Sequence, residues 1–265
     1  MYDKVDIYNE LFTNLRPDYP IIWATLEVLN PDRIAEYGAG SGRILPLYKQ
    51  TNARKIIGLD LEKNMVKSFI QNGDDEERIV SYCQNICDVT THIKDSNIVI
   101  MTSSLMKHIE PNLREKSWES IYQSLGDNTI ILIDHCEYIY DQDKSTDWQS
   151  YFDTLKFWWT EEYRDNLKKF VWKKEINDID DILYYKNIDT KEEIRIKTYI
   201  YTIADITEDI KKANLQYTQI TNSFTYPYSK HQTKRFISLL TNNKFEKDRL
   251  LDIKNKIIGL LDIED

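Results

Sequence analysis

Three of the chain's seven glycines fall within five residues, at Gly38, Gly40 and Gly42. They follow a short apolar run, Arg33–Tyr37, and Arg43 comes directly after them. Glycine lets the backbone turn sharply and lets a ligand lie against main-chain atoms. Free N–H groups at the start of a following helix attract polar ligand groups. The spacing therefore predicts a nucleotide or cofactor loop that opens a helix.

Two carboxylates flank this loop in the sequence. Glu36 stands two residues before Gly38, and Asp60 ends a second apolar run, 20 residues after Gly40. An anion at position 36 suits a cationic ligand group better than a pyrophosphate, and a carboxylate after the second strand can accept hydrogen bonds from both ribose hydroxyls. The last glycine of the dinucleotide fingerprint is replaced by Arg43. The pattern therefore indicates a cofactor with a ribose and a cationic end, and leaves an NAD-dependent oxidoreductase as the weaker alternative.

Alternating strands and helices position these residues. Trp23, Leu26 and Leu29 have helical spacing, which predicts a helix over 5–30 broken by Pro17 and Pro20. A second helix is predicted over Asn112–Leu125. Short apolar runs separated by crossover segments predict parallel βαβ units; the runs are Arg33–Tyr37, Lys55–Leu59, Ile79–Cys83, Asn97–Thr102 and Thr129–Asp134.

After residue 140 the sequence no longer alternates between short apolar runs and crossover segments. An aromatic and predicted helical stretch, 147–167, precedes three strand-like runs at Lys169–Ile176, Ile182–Ile188 and Glu193–Thr202. The last run alternates with period two, as an antiparallel strand with one solvated face does. We therefore predict a core at 1–144, an inserted antiparallel lid at 145–202, and a return to the core at 203–265. That last part is predicted as a helix (205–213), a strand (215–222) and two helices (229–241 and 246–262).

Three segments resemble the cofactor-binding motifs of class I S-adenosylmethionine-dependent methyltransferases. Glu36–Gly42 and Gly58–Asp60 look like the first two motifs, and Cys83–Asp88 looks like the third. The resemblance covers about residues 5–140. It implies an α/β, Rossmann-like fold with a seven-stranded, mostly parallel sheet and helices on both faces. It also implies S-adenosylmethionine as the cofactor and S-adenosylhomocysteine as the product.

By this resemblance, Glu36 and the glycine loop hold the methionyl end of the cofactor and Asp60 holds the ribose. Leu61 and Asp88 contact the adenine, although Asp88 is equally open to a role as a helix N-cap. Thr102, at the end of the fourth strand, lines the cofactor pocket. Tyr8 resembles a tyrosine that several family members place over the cofactor, and a core or surface position is the alternative.

Methyl transfer is an in-line displacement that asks mainly for alignment and exclusion of water. A base helps where the acceptor must lose a proton, and His108 and His135, which follow the fourth and fifth strands, are in the right region for it. The alternative for each histidine is a packed or solvent-exposed residue without a direct role. Asp134 beside His135 is a candidate for binding an acceptor amine. For the lid, the predicted acceptor contacts are Trp158, Trp159, Glu161 and Arg164, with simple packing of an aromatic helix face as the alternative.

The formal net charge is −9, which disfavours a nucleic-acid acceptor because phosphate backbones are repelled. The sequence also lacks the Asn-Pro-Pro-Tyr type of motif after the fourth strand that base-modifying amino-methyltransferases carry. The remaining candidate acceptors are a small molecule or a natural-product peptide. The acidic residues near the predicted lid favour N-methylation of an amine in that acceptor. Peptide natural-product N-methyltransferases of the plantazolicin type have a comparable build. A catalytically idle S-adenosylmethionine-binding protein is the other alternative.

The three cysteines, Cys83, Cys87 and Cys136, form no recognisable zinc pattern, so we expect no metal and reduced thiols. No signal peptide and no membrane-length apolar stretch stand out in the sequence. These observations predict a cytoplasmic enzyme.

Overall fold

A computed structural model describes residues 5–12, 18–74, 77–138, 147–150, 167–177, 179–221 and 233–261. The helices are α1 (Val5–Phe12), α2 (Tyr19–Leu29), α3 (Leu45–Tyr48), α4 (Lys63–Asn72), α5 (Arg114–Ser124), α6 (Ile203–Lys212) and α7 (Lys247–Leu261). Short 3-10 helices span Leu105–His108 and Pro111–Leu113. The strands are β1 (Arg33–Tyr37), β2 (Lys55–Asp60), β3 (Ile79–Cys83), β4 (Ile98–Met101), β5 (Ile130–Tyr138), β6 (Gln149–Ser150), β7 (Phe170–Ile176), β8 (Asp180–Asn187), β9 (Glu193–Tyr199), β10 (Gln216–Thr221) and β11 (Thr233–Thr241).

Within the described residues, seven strands form the main sheet in the order β10-β11-β5-β4-β1-β2-β3. Strands β1 to β5 pair in parallel, and β11 runs antiparallel to both of its neighbours. From β1 the chain adds β2 and β3 on one side and then β4 and β5 on the other, so the order of strands switches between β1 and β4. Open α/β sheets bind ligands at such a switch point, beyond the carboxyl ends of the strands. The predicted fold class, a mostly parallel seven-stranded sheet with an antiparallel lid, is confirmed.

Apolar side chains cover both faces of this sheet. One buried cluster joins it to α2, α3 and α7 through residues such as Ile22, Leu45 and Ile257. The other joins it to α5 and α6 through Trp118 and Ile206. A sheet covered on both faces reads as nearly continuous apolar runs, which is why β1 and β4 were recognisable from the sequence.

The predicted helix at 229–241 is wrong, because Thr233–Thr241 forms β11 between β5 and β10. Phe236, Ile237, Leu239 and Leu240 are all buried, on both faces of the sheet. A short apolar run without alternation does not distinguish a buried strand from a buried helix. The sequence pattern at β11, the last strand of the sheet in chain order, was therefore misinterpreted as a helix.

Three local predictions also need correction. Pro20 lies in the first turn of α2, where the missing N–H costs nothing, and does not break the helix. The helix predicted to open at the glycine loop begins only after turns at 41–44 and is the four-residue helix α3. The helix predicted from Asn112 has a 3-10 turn at its start and becomes α-helical at Arg114.

Strands β6 to β9 form a separate antiparallel sheet, and three of them match the strands predicted for the lid. One face of this sheet packs on α1, where Phe12 meets Tyr185 edge-on at 5.4 Å between ring centroids. The helix predicted within 147–167 lies almost wholly outside the described residues. The division at 144 and 202 stays a prediction. No helix in the described part of the chain has the length and apolar character needed to span a membrane.

Candidate active site

The glycine loop connects β1 to α3 and is held in a left-handed conformation. Gly38, Gly40 and Gly42 have φ angles of 66°, 55° and 90°, which L-residues with a side chain rarely adopt. A Cβ on Gly38 would lie 2.5 Å from Leu105 Cδ1, so the loop also needs glycine there for close packing. The loop therefore presents its backbone at the carboxyl edge of the sheet, as predicted.

Glu36 is buried directly beneath this loop, with only 4% of its surface exposed. Its Oε2 atom has no hydrogen-bond partner among the described residues. Burial raises the pKa of Glu36 to about 8, and the Arg43 charge only partly offsets this rise. A buried carboxylate oxygen without a donor is costly in an empty site, and it matches a ligand that brings an ammonium group.

Asp60 lies at the end of β2 and faces the loop across the edge of the sheet. Its Oδ2 accepts a hydrogen bond from the Gly40 N–H at 2.8 Å, and its Oδ1 accepts one from the Glu62 N–H at 2.9 Å. Burial raises the pKa of Asp60 despite these backbone donors. The two predicted carboxylates, Glu36 and Asp60, therefore flank one glycine loop at the carboxyl ends of neighbouring strands.

Helix α1 covers the loop from the lid side. The Tyr8 ring is near Gly40, since a Cβ there would meet the Tyr8 ring and hydroxyl at 3.9 Å. Ser41 Oγ donates to Asn9 Oδ1 at 2.5 Å, which fixes α1 to the loop. Burial raises the pKa of Tyr8 to about 12. The structure thus brings Tyr8 to the predicted cofactor loop, and contacts from its neighbours hold it there.

The turn after β4 forms the wall opposite the loop. Thr102 is buried at the end of the strand, and Ser103 and Ser104 follow with φ angles of 58° and 53°. Such a conformation costs about 1–2 kcal/mol for each residue with a side chain. Asp134 of β5 compensates in part, because its Oδ1 accepts the Ser104 N–H at 2.8 Å. The predicted amine-binding carboxylate therefore already supports the backbone of this turn.

Neither predicted histidine is an open base in this structure. His135 is fully buried, and its Nε2 lies 2.6 Å from the Tyr201 carbonyl oxygen. A carbonyl only accepts, so Nε2 must carry the proton and Nδ1 has the lone pair, without a partner among the described residues. Burial lowers the pKa of His135 and of His108 to about 4. His135 thus lies in the core with its Nε2 bound to the Tyr201 carbonyl, and its role as a base stays a prediction.

The adenine end of the site is more open. Leu61 follows Asp60 and is 62% exposed, an apolar side chain in a position to meet a ring. Asp88 is exposed, and its carboxylate lies 3.7 Å from Lys116 Nζ. The alternative of an N-cap at Asp88 is wrong, because turns and no helix follow it over residues 89–97. Contact between Asp88 and adenine stays a prediction.

Arg43 is the residue of this site that the sequence pattern did not single out. Its Nη1 and Nη2 donate to the two carboxylate oxygens of Asp18, each at 2.6 Å, and Nη2 also donates to Ser103 Oγ at 2.8 Å. The position directly after Gly42 was the only available signal. Asp18 and Ser103 lie 25 and 60 residues away in sequence, so only folding shows these partners. The predicted lid contacts Trp158, Trp159, Glu161 and Arg164 lie outside the described residues.

The donor and acceptor set fits S-adenosylmethionine. Glu36 offers a carboxylate oxygen to an ammonium group, Asp60 offers oxygens to ribose hydroxyls, and Leu61 offers an apolar surface to adenine. Gly38, Gly40 and Gly42 add no side chain of their own to the loop between these groups. Arg43 is a cation that acts on Glu36, but both of its Nη atoms are bound to Asp18.

Comparison with known proteins agrees with this geometry. The family model described as a methyltransferase domain matches residues 35–133, which run from β1 to β5. No curated protein matches the chain in sequence.

Solved structures share the fold at low sequence identity. A S-adenosylmethionine-dependent methyltransferase from Clostridium acetobutylicum is 13% identical, with 89% of this chain and 96% of that chain covered and a TM-score of 0.64. CalS10, an amino pentose methyltransferase from Micromonospora echinaspora with bound S-adenosylmethionine, is 9% identical, with 89% and 95% covered and a TM-score of 0.60. The glycopeptide N-methyltransferase MtfA, in complex with the same cofactor, is 9% identical, with 79% and 81% covered and a TM-score of 0.51.

The matched domain contains the glycine loop, both flanking carboxylates and the turn after β4. This match favours a methyltransferase over the alternative of an NAD-dependent oxidoreductase. The chain contains a methyltransferase domain at residues 35–133, on a Rossmann-like fold.

Proposed function

We propose that this enzyme methylates a small-molecule or natural-product peptide acceptor, preferentially at an amine nitrogen. The observation that carries the cofactor half of this proposal is the buried Glu36 carboxylate beside the glycine loop, whose Oε2 has no hydrogen-bond partner among the described residues. The acceptor half is supported by similar folds whose names give an amino pentose and a glycopeptide nitrogen as substrates. Action in the cytoplasm and the exclusion of nucleic-acid acceptors stay predictions from charge and composition.

The proposed cofactor contacts follow from the position of each group. The cofactor, when bound, supplies a methyl group activated by a positively charged sulfur. Glu36 accepts hydrogen bonds from the ammonium group, and the loop around Gly40 supports the methionyl chain under Tyr8. Asp60 exchanges its bond to the loop N–H for bonds to the ribose hydroxyls. Thr102 closes the inner wall of the pocket.

An amine acceptor suits the groups found near the turn after β4. With the cofactor bound, the acceptor nitrogen would take the methyl group, S-adenosylhomocysteine would leave with the carbon–sulfur electron pair, and the methylated ammonium would release its proton to solvent. An amine acceptor that enters the site in its neutral form has a free lone pair and needs no strong base there. This agrees with His108 and His135, whose pKa values burial lowers to about 4. Asp134 offers a carboxylate near the acceptor side of the turn.

Matched acceptor pairs test the nitrogen preference. The enzyme is incubated with methyl-labelled S-adenosylmethionine and with amino sugars or peptides that have a free amine, each beside its hydroxyl or N-acetyl counterpart. We expect label in the free amines only, and much less of it with an Asp60→Ala variant at cofactor concentrations that do not saturate the variant. Transfer to the hydroxyl counterparts would overturn the amine preference.

A second measurement separates an idle binding protein from an enzyme. Calorimetric titration with S-adenosylhomocysteine and, in parallel, NAD reports cofactor binding without an acceptor. Binding of S-adenosylhomocysteine with no transfer to any acceptor in a broad panel would favour the idle alternative. Absence of binding would contradict the cofactor contacts themselves.

A further inference from the structure

Arg43 connects three parts of the chain that meet around the cofactor loop. Its side chain is 15% exposed and forms a two-pronged ion pair with Asp18, which is 2% exposed. The Nη2 atom of the same guanidinium reaches Ser103 Oγ on the other side of the pocket. A planar guanidinium can hold a carboxylate and a hydroxyl at fixed angles, which a lysine ammonium does not reproduce.

The partner on the far wall is the strained turn after β4. Ser103 and Ser104 both have positive φ angles, so this turn needs external contacts to stay in place. Asp134 binds the Ser104 N–H from β5, and Arg43 binds the Ser103 hydroxyl from the glycine loop. Leu105, just beyond the turn, packs against Gly38. The turn is therefore held from two sides, and one of the two is the cofactor loop.

The Arg43 charge also acts on Glu36. The titratable and charged groups that act on Glu36 are Arg43 from the loop, the Tyr48 hydroxyl from α3, Asp18 from the start of α2, Asp60 from β2 and the Tyr8 hydroxyl from α1. Among these, Arg43 is the cation, and it lowers the pKa of Glu36 against the opposing effect of burial. Loss of this charge would leave the buried carboxylate with anionic and neutral neighbours.

We propose that Arg43 is a positioning residue that joins the cofactor loop to the turn after β4 and balances the charge of Glu36 for cofactor binding. The inference rests on the proposed contact between Glu36 and the cofactor ammonium. It has two separable parts, geometry and charge. Arg43→Lys keeps the charge and loses the two-pronged geometry, whereas Arg43→Gln loses both.

Calorimetric titration with S-adenosylhomocysteine between pH 6 and pH 9.5 tests both parts. In the wild type, the affinity for S-adenosylhomocysteine should rise with pH because Glu36 becomes ionised, and the midpoint of this rise should lie near the pKa of Glu36, about 8. We expect Arg43→Lys to bind several-fold more weakly with the same midpoint. Arg43→Gln is expected to raise the midpoint by about one pH unit, so that it binds at least about tenfold more weakly at pH 7.

The chain offers a matched control in Arg54. It pairs with Asp32 through two bonds, but its side chain is 83% exposed and its partner lies before β1, at the opposite edge of the sheet. Arg54→Gln should leave both affinity and midpoint unchanged. A merely structural role for Arg43 would weaken binding equally at every pH, and an Arg43→Gln midpoint equal to that of the wild type would overturn the charge part.

Ser103→Ala completes the test, because it removes only the hydroxyl contact and keeps the ion pair with Asp18. We expect a several-fold loss of affinity with an unchanged midpoint. If Arg43→Gln does not fold, as judged by its circular dichroism and melting curve, Ser103→Ala and Arg43→Lys decide the geometric part. Wild-type affinity in both would overturn it. Absence of binding by the wild type would instead contradict the proposed cofactor site.

Discussion

Replacing Glu36 by Gln should stabilise the ligand-free enzyme while weakening its cofactor binding. Glu36 is buried and its Oε2 lacks a donor among the described residues, so the ionised side chain is costly in the empty pocket. Glutamine has nearly the same shape and carries no charge. The substitution therefore removes the cost of burying an anion and also removes the partner of the cofactor ammonium.

The magnitude follows from the pKa. Burial raises the pKa of Glu36 from its ordinary value of 4.5 to about 8. Between these pH values the folded enzyme keeps a proton that the unfolded chain releases, so the free energy of unfolding falls as pH rises, by about 1.4 kcal/mol per pH unit. From pH 6 to pH 8 the wild type should lose about 2.3 kcal/mol relative to Glu36→Gln, because the slope flattens as the carboxyl becomes half ionised near pH 8. For a chain of this size that difference corresponds to roughly 5–9 °C in melting temperature.

Thermal melts of both proteins at pH 6, 7 and 8, with and without S-adenosylhomocysteine, measure this effect. Without ligand, the melting temperature of Glu36→Gln minus that of the wild type should grow with pH. With saturating ligand at pH 8, the wild type should gain more than the variant, because only the wild type regains a partner for its charge. A difference in melting temperature that does not change with pH would refute the reasoning.

Three further substitutions separate the remaining roles. Asp60→Ala should weaken the binding of S-adenosylhomocysteine about 10- to 100-fold in calorimetry, with an unchanged circular dichroism spectrum. Asp32→Ala is the control at an exposed carboxylate. Equal affinities of the two variants would contradict the place of Asp60 in the ribose site. Asp134→Asn keeps an oxygen for the Ser104 N–H, so we expect normal cofactor affinity and melting temperature but at least about tenfold slower transfer to an amine; Asp134→Ala should lose stability as well. His135→Leu should cost about 1–3 kcal/mol in denaturant unfolding with no change in the pH profile of transfer, and lost turnover at unchanged stability would restore this histidine as a base.

The cofactor half of the site could be predicted because it is local in sequence. A glycine loop, Glu36 and Asp60 lie at the ends of two neighbouring parallel strands, and the spacing of βαβ units fixes their proximity. The parallel core was predictable for a similar reason, since runs such as Ile98–Met101 are buried on both faces. The lid strand β9 was visible from its alternation of period two.

The strand β11 and the wall opposite the loop depended on tertiary structure. Thr233–Thr241 is compatible with a helix or a buried strand, and only the position between β5 and β10 decides between them. The packing of His135 also depended on tertiary structure. A histidine at a strand end looks like a base in sequence, but the Tyr201 carbonyl that occupies its Nε2 is 66 residues away.

The sequence alone predicts S-adenosylmethionine binding on a Rossmann-like sheet, because that binding depends on backbone conformation and on carboxylates within single βα units. How the pocket is held depends on contacts between distant segments. Arg43, Asp18 and Ser103 come from three separate segments, and their charges and hydrogen bonds meet only after the sheet has assembled. Local spacing cannot encode such contacts, since their partners are set by packing between elements that are distant in the chain.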